Sequence, residues 1–309
     1  MKNLKKIVFF AFMSAVLTAA VFAKGAKEPV SVVDLSKDRA GNEIALPSEI
    51  QKIVSMAPSN TEILVDLGLG GNIIAADTYT QKDGLIKQDI PYFDMMKPDT
   101  ENLIALKPDV VFISGMSNAK GNDPYAPLRE AGICVINIPS SSSIEEIYND
   151  IAFISAIVKK EVEGNKIITD MKTEIDKIKK KGNSISKDKK KTVYFEIGAA
   201  PYMYSLGQGT FIHEMIEIIG AKNILEDQNK WISVSEEMVL SKNPDIILTT
   251  VDYIPNPVEE ILNRPGWDSL KAVKEKRIFS IDTNSASRPN HNIIKALQEM
   301  AKKIYPDKF

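Results

Sequence analysis

Apolar and β-branched residues gather in short runs along this chain, and the stretches between them repeat at helical spacing. The runs "KIVSM", "NIIAAD", "DVVFIS" and "CVINIP" come first; "TVYFEIG", "DIILTTV" and "RIFSID" come later. They are rich in Val and Ile with few polar breaks, the pattern of strands buried on both faces. Each set predicts a mainly parallel sheet covered by helices.

Between the two sets lies "EEIYNDIAFISAIVKKEVEGNKIITDMKTEIDKIKKKGN", with no strand pattern inside it. Ile168, Met171, Ile175 and Ile178 recur at steps of three and four. That spacing predicts one long amphipathic helix from about Glu161 to Lys181, stopped by Gly182-Asn183. The fold class is therefore α/β: two Rossmann-like lobes joined by one long rigid helix. The predicted boundaries are 24–158 for the first lobe, 159–184 for the bridging helix and 185–309 for the second lobe.

The lobes echo each other. "ENLIALKPDVVFIS" at 101–114 superposes on "EMVLSKNPDIILTT" at 237–250 through their Pro-Asp pairs, 108–109 and 244–245. Each pair is preceded seven residues earlier by a glutamate, Glu101 or Glu237. A helix ending before the proline and a strand starting after the aspartate explains the Pro-Asp. It does not explain a glutamate at the same offset, so an internal duplication is inferred.

The N-terminus departs from this pattern. Lys2, Lys5 and Lys6 precede the uncharged "IVFFAFMSAVLTAAVFA" at 7–23, which ends in small residues suited to cleavage after Ala23. Residues 1–23 read as a secretory signal peptide. Their removal takes away three positive charges and no negative one, so the net charge of −2 becomes −5. An acidic mature chain argues against nucleic acid as a partner. The lysines at 177–191 read as a solvated helix end and loop. The single cysteine, Cys134, lies in "ICVINI", a buried strand by its pattern, so no internal disulfide is expected. No cysteine stands at the cleavage site for lipid attachment, and a soluble exported protein kept near its cell implies a periplasm.

No catalytic or metal motif emerges. His213 and His291 have no partner histidine at metal-ligand spacing, and no G-x-S-x-G elbow occurs. His213 is expected on a helix surface and His291 at a helix start. "GLGGN" at 68–72 follows a helix and reads as its C-cap. A binder rather than an enzyme is expected, with no intrinsic cofactor and no metal site. Ligands of such sheets sit outside the carboxyl ends of the strands. Two facing lobes would enclose one in a cleft between them.

"KIVSMAPSNTEILVDLGLGGNIIAAD", "LIALKPDVVFISG", "GTFIHEMIEIIGAKNI", "NRPGWDSLKAVKEKRIFSID" and "SRPNHNIIKALQEMAKKIYPD" together resemble the iron-complex and vitamin B12 class of ABC-transporter substrate-binding proteins. The resemblance covers about residues 30 to 307. It implies capture of a ferric siderophore, haem or cobalamin and delivery to an inner-membrane permease dimer with its ATPase subunits, by a monomer. It also gives Glu101 and Glu237 a meaning, since B12-binding members dock one surface glutamate per lobe onto permease arginines.

Candidate ligand contacts follow from the strand ends: Ser59, Asn60, Tyr79, Met95 and Ser114 in the first lobe, and Tyr202, Trp231 and Arg288 in the second. Aromatic walls suit large flat ligands, and an arginine grips carboxylates with two hydrogen bonds. Tyr79 and Trp231 fall where B12 binders place aromatics. Met95, Ser114 and Met203 stand where others would be, which favours an iron complex over cobalamin. Trp267 is expected to be structural. In "IVSMAPSNTE", Ser59 and Glu62 fit a capping box, leaving Glu62 to its own helix.

Overall fold

The computed structural model describes residues 33–118 and 123–309; the signal-peptide segment lies outside the described residues. In lobe one, strands β1 (Ile53–Ser55), β2 (Ile73–Asp77), β3 (Tyr92–Phe93), β4 (Val110–Ser114) and β5 (Cys134–Ile138) form one sheet in the order β3-β2-β1-β4-β5. Every pairing in it is parallel. The helices are α1 (Pro58–Leu64), α2 (Thr78–Asp83), α3 (Thr100–Ala105), α4 (Ala126–Glu130) and α5 (Ile144–Ile157), followed by the long α6 (Glu161–Asn183).

Lobe two holds β6 (Thr192–Glu196), β7 (Tyr204–Leu206), β8 (Lys222–Asn223), β9 (Trp231–Ser233), β10 (Ile246–Thr249) and β11 (Ile278–Ser280). Its main sheet, β11-β10-β6-β8, is again parallel, while β7 and β9 form a separate antiparallel ribbon. Its helices are α7 (Phe211–Ile218), α8 (Glu236–Lys242), α9 (Pro257–Leu262), α10 (Lys271–Lys274), α11 (Thr283–Ser287) and α12 (Ile293–Ile304). Among the described residues no helix is long and apolar enough to cross a membrane.

The apolar runs are explained by how each strand divides its residues. Ile53, Val110, Phe112 and Ile136 belong to one buried cluster with Ile147, Ile151 and Ile154 of α5. Val54, Val111, Ile113 and Val135 belong to another with Leu103 and Leu128. Alternate residues face opposite helix layers, so both faces of each strand favour apolar residues. Lobe two repeats this, with Val193, Phe195, Ile246 and Leu248 inward and Tyr194 and Ile247 outward. The inward cluster runs through both lobes and takes in Met171, Ile175 and Ile178 of α6, the predicted helical stripe.

The duplication is geometric as well as sequential. Glu101 is the second residue of α3 after its Asp99 cap, and Glu237 the second of α8 after its Ser235 cap. Each helix is followed by a left-handed residue, Lys107 at φ 50° or Asn243 at φ 43°, before its Pro-Asp. Asp109 accepts from the backbone N–H of Lys52 at 2.8 Å, just before β1, and Asp245 from that of Thr192 at 2.8 Å, at the start of β6. Gly68 and Gly220, at φ 83° and 84°, close the equivalent helices α1 and α7.

Gly182 does not act as the helix stop that its sequence suggests. It lies inside α6, where a Cβ would sit 2.3 Å from the Ile218 carbonyl, and Gly220 would meet Gly182 in the same way. At the other end of α6, a Cβ on Gly164 would sit 2.3 Å from the Ser155 hydroxyl in α5. Glycine is needed at both ends, at Gly182 because backbones touch and at Gly164 because the Ser155 side chain fills the space.

Candidate functional site

The carboxyl ends of both sheets point to a common seam. α1 and α2 follow the carboxyl ends of β1 and β2, and α11 follows that of β11. These helices meet. Asn284 of α11 donates to Asp83 of α2 at 3.0 Å. Arg288, just after α11, donates to Glu62 of α1 at 2.6 Å and also to Asp83. Asn290 and Asn292 donate to the other Glu62 oxygen at 2.8 and 2.6 Å. His291 Nε2 lies 2.6 Å from an Asp66 oxygen. The two lobes are thus clasped by charge-assisted bonds beside the strand ends.

This arrangement corrects two expectations. Glu62 does not cap its own helix: the α1 cap is Ala57 with Pro58 in the first turn, and no side chain closes it. Arg288 is not a free ligand grip, because its guanidinium is occupied by Glu62 and Asp83. Burial pulls the Arg288 pKa down, but the hydrogen bonds it donates to Asp83 and Glu62 outweigh this and leave it raised.

The floor beside the clasp is polar and closed. Thr61 donates to the Ser55 hydroxyl at 2.8 Å, and Thr80 donates to Asp77 at 2.6 Å. Asp77 caps α2 through the N–H groups of Tyr79 and Thr80. Burial raises the Asp77 pKa in spite of these bonds. Asn60 is buried, with its amide turned to the Ile113 carbonyl at 3.3 Å. The Ser114 hydroxyl accepts from the Met116 N–H at 3.2 Å and is also buried. Met95 is only 6% exposed, and its carbonyl accepts from the Tyr125 hydroxyl at 2.9 Å. Ser59 is half-buried in the first turn of α1. The sequence therefore located the strand ends but picked side chains there that face inward at Asn60, Met95 and Ser114.

Large apolar side chains do stand exposed at these ends. In lobe one they are Tyr79, 52% exposed, with Met96 and Met116. In lobe two Tyr202, 87% exposed, and Tyr253 follow β6 and β10, while Tyr204 and Trp231, 42% exposed, stand on the β7–β9 ribbon. Met96 is the neighbour of Met95, Met116 lies two residues after Ser114, and Tyr253 follows β10. The Tyr253 hydroxyl accepts from the Ala199 N–H at 2.8 Å, which fixes one ring of the group. Lys82 lies 5.2 Å over the Tyr79 ring. Met203, by contrast, is buried and lies against Arg264, whose guanidinium also holds Glu196 at the end of β6. Trp267 is fully buried beneath Arg264 and edge-on to Tyr194, the structural role expected of it.

His213 is buried in α7 beside Asn223 rather than on the surface. With His291 held by Asp66, neither histidine stands at the aromatic strand ends. Among the described residues no group of His, Cys, Asp and Glu is placed to hold a metal ion. Glu101 and Glu237 are exposed. In each lobe the helix bearing the glutamate ends where its Pro-Asp reaches the amino end of a strand, so its first turn lies toward the carboxyl ends.

A family model described as periplasmic binding protein matches residues 53–284. The uncharacterized ABC transporter substrate-binding lipoprotein YvrC of Bacillus subtilis is 33% identical over 96% of this chain and 97% of its own. The molybdate-binding protein MolA of Haemophilus influenzae is 25% identical over 88% and 85%. A crystal structure from Staphylococcus epidermidis, described as a possible iron-binding periplasmic solute-binding protein, is 32% identical. It covers 84% of this chain and all of its own, with a TM-score of 0.73.

Proposed function

Because the chain belongs to the periplasmic binding protein family of ABC-transporter substrate-binding proteins, we propose that it captures an iron complex, a ferric siderophore or haem, and delivers it to an inner-membrane permease. The observation that carries this reading is the set of exposed aromatic and thioether side chains at the carboxyl ends of both sheets. Exposed apolar groups on both lobes suit a binding surface, and rings suit a large flat ligand. The Staphylococcus epidermidis relative, described as possibly iron-binding, supports the same class.

A siderophore holds its own iron, so aromatic walls suffice. Haem would need an axial donor from the protein. With both histidines placed away from the rings, that donor would be Tyr79, Tyr202, Tyr204 or Tyr253. A corrinoid is the alternative ligand, favoured by Tyr79 and Trp231 and disfavoured by buried Met95 and Met203. A small oxyanion such as the ligand of MolA fits less well, because Arg288 is already paired. The proposed site is Tyr79, Met96, Met116, Tyr202, Trp231 and Tyr253, with Ser59 at its edge. The role is binding and hand-over with no chemical step, by a monomer.

Glu101 and Glu237 are proposed to dock on the two halves of a permease dimer, since a pseudo-symmetric binder on a symmetric partner needs equivalent charges on both lobes. Residues 1–23 are proposed to direct export to the periplasm and to be cleaved. YvrC is described as a lipoprotein, whereas the single cysteine here, Cys134, lies in β5. The mature chain titrated with haemin, cyanocobalamin and a panel of ferric siderophores, followed by Trp231 fluorescence, tests the reading. Saturable micromolar quenching by an iron complex supports it. Quenching by cyanocobalamin alone, or by none of them, overturns it.

A further inference from the structure

The far end of lobe two is strongly basic. Residues 177–191 carry eight lysines against one aspartate, Asp188, and Lys302, Lys303 and Lys308 lie near the end of the chain. Among the described residues the lysines at 179–181, 187 and 189–191 make no ion pair, whereas Lys177 pairs with Glu174. Lys191 immediately precedes β6 and Arg277 immediately precedes β11, so this pole is at the amino ends of the strands, away from the aromatic ends.

A cavity of about 570 Å³ opens in this pole. Lys189, Lys191, Arg277 and Lys308 line it over an apolar floor of Ile185, Ile304 and Tyr305, with Asp188 and Asp307 also at its wall. The floor is fixed. The Tyr305 hydroxyl accepts from the Lys191 N–H at 2.8 Å and donates to the Gly220 carbonyl at 3.2 Å. Arg277 donates to the Lys303 and Ile304 carbonyls at 3.1 and 3.0 Å, while its Nε is buried with no partner.

We propose that this pole is a docking surface for an anionic lipid membrane, with the cavity receiving a phosphate headgroup. Free lysines around an apolar floor are the combination that interfacial binding uses: anionic headgroups attract the cations, and apolar groups sit at the headgroup boundary. Among acidic partners, a lipid fits the apolar floor better than an acidic protein segment does. Bound in this way, the protein would rest with its aromatic ends turned away from the lipid. It would have to let go of the membrane to present Glu101 and Glu237 to a permease, so adsorption and docking would compete.

Sedimentation of the mature chain with vesicles of phosphatidylcholine, with and without phosphatidylglycerol, tests this. The expected result is binding only to the phosphatidylglycerol vesicles, weakened by salt. The Lys189→Gln, Lys308→Gln pair should lose about tenfold in partitioning, with ligand quenching at Trp231 unchanged. The Lys179→Gln, Lys180→Gln pair on α6, outside the cavity, should lose clearly less. Arg277→Lys, which keeps the charge and loses the fork, should weaken binding with its melting temperature monitored. Equal partitioning to both vesicle types, equal losses from the two lysine pairs, or poly-glutamate binding as tight as vesicle binding would overturn the proposal.

Discussion

Arg288 in lobe two and Glu62 in lobe one are 226 residues apart in sequence and 2.6 Å apart in space. Asn290 and Asn292 complete the shell of Glu62, and Asp83 shares the guanidinium. Replacing Arg288 with Ala leaves buried carboxylates unpaired and should destabilise the protein by about 3 kcal/mol. A double-mutant cycle with Glu62→Gln should return a coupling of about 2 kcal/mol by chemical denaturation. Additive effects would mean that the two side chains do not hold the lobes together. With the clasp intact, empty and ligand-bound forms should differ by only a few degrees in lobe angle.

Adjacent methionines should behave oppositely. Met95 is buried, so Met95→Ala should cost about 3 kcal/mol of stability. Met96 is exposed, so Met96→Ala should leave stability within about 0.5 kcal/mol of the parent. On the proposed site it should weaken ligand binding instead. Trp231→Ala and Tyr202→Ala should do the same, by about fivefold each for the loss of one ring contact. Calorimetric titration and melting curves on the same samples separate the two effects.

The docking glutamates are exposed and make no ion pair among the described residues, so Glu101→Ala with Glu237→Ala should fold and bind ligand normally. Permease capture in a pull-down should fall steeply for the pair and partly for each single change. Undiminished capture by the double variant would remove the docking role.

The two echoed glycines should differ in tolerance. Gly68→Ala meets only the left-handed backbone penalty, about 1 kcal/mol, since nothing lies within 4 Å of the added carbon. Gly220→Ala meets the same penalty and the backbone of Gly182 at 2.4 Å. It should lose about 3 kcal/mol in denaturant, as should Gly182→Ala.

Asp77 supplies a pH test with a definite sign. Its native pKa is raised above 3.8 by burial, so the native state holds its proton more tightly than the unfolded state. The charged form therefore weakens the fold above the native pKa, and this effect vanishes as pH falls to 3.8 and below. Asp77→Asn retains an acceptor for the α2 cap. Its melting temperature relative to the parent should be highest near neutrality and should decline through that acidic window. A difference independent of pH would show that Asp77 titrates normally.

The sequence made seven strands visible because burial on both faces forces an apolar run. It hid β3, β7, β8 and β9, which taken together are half-buried or exposed at most positions and so carry no such run. The glutamate pair proposed for docking drew notice because its offset from Pro-Asp repeats. The face proposed for binding could be read only to the level of the loop. A neighbour one position along turns to the opposite side, so Met95 and Met96 cannot be told apart by composition. The Glu62 clasp was not legible at all, since its partners come from a distant segment with no periodicity to announce them.

Gly164 and Gly182 seat α6 against backbone or side-chain atoms at either end, in α5 and in the α7 turn. Mechanically this is a beam with both ends built in rather than pinned, and such a beam resists rotation at its supports. The separation of Glu101 and Glu237 is then a fixed dimension of the molecule, as a gauge block keeps its length. On the docking reading, a permease measuring only that dimension receives the same signal from the empty and the loaded protein. Discrimination between them would then have to come from the ligand's own exposed edge.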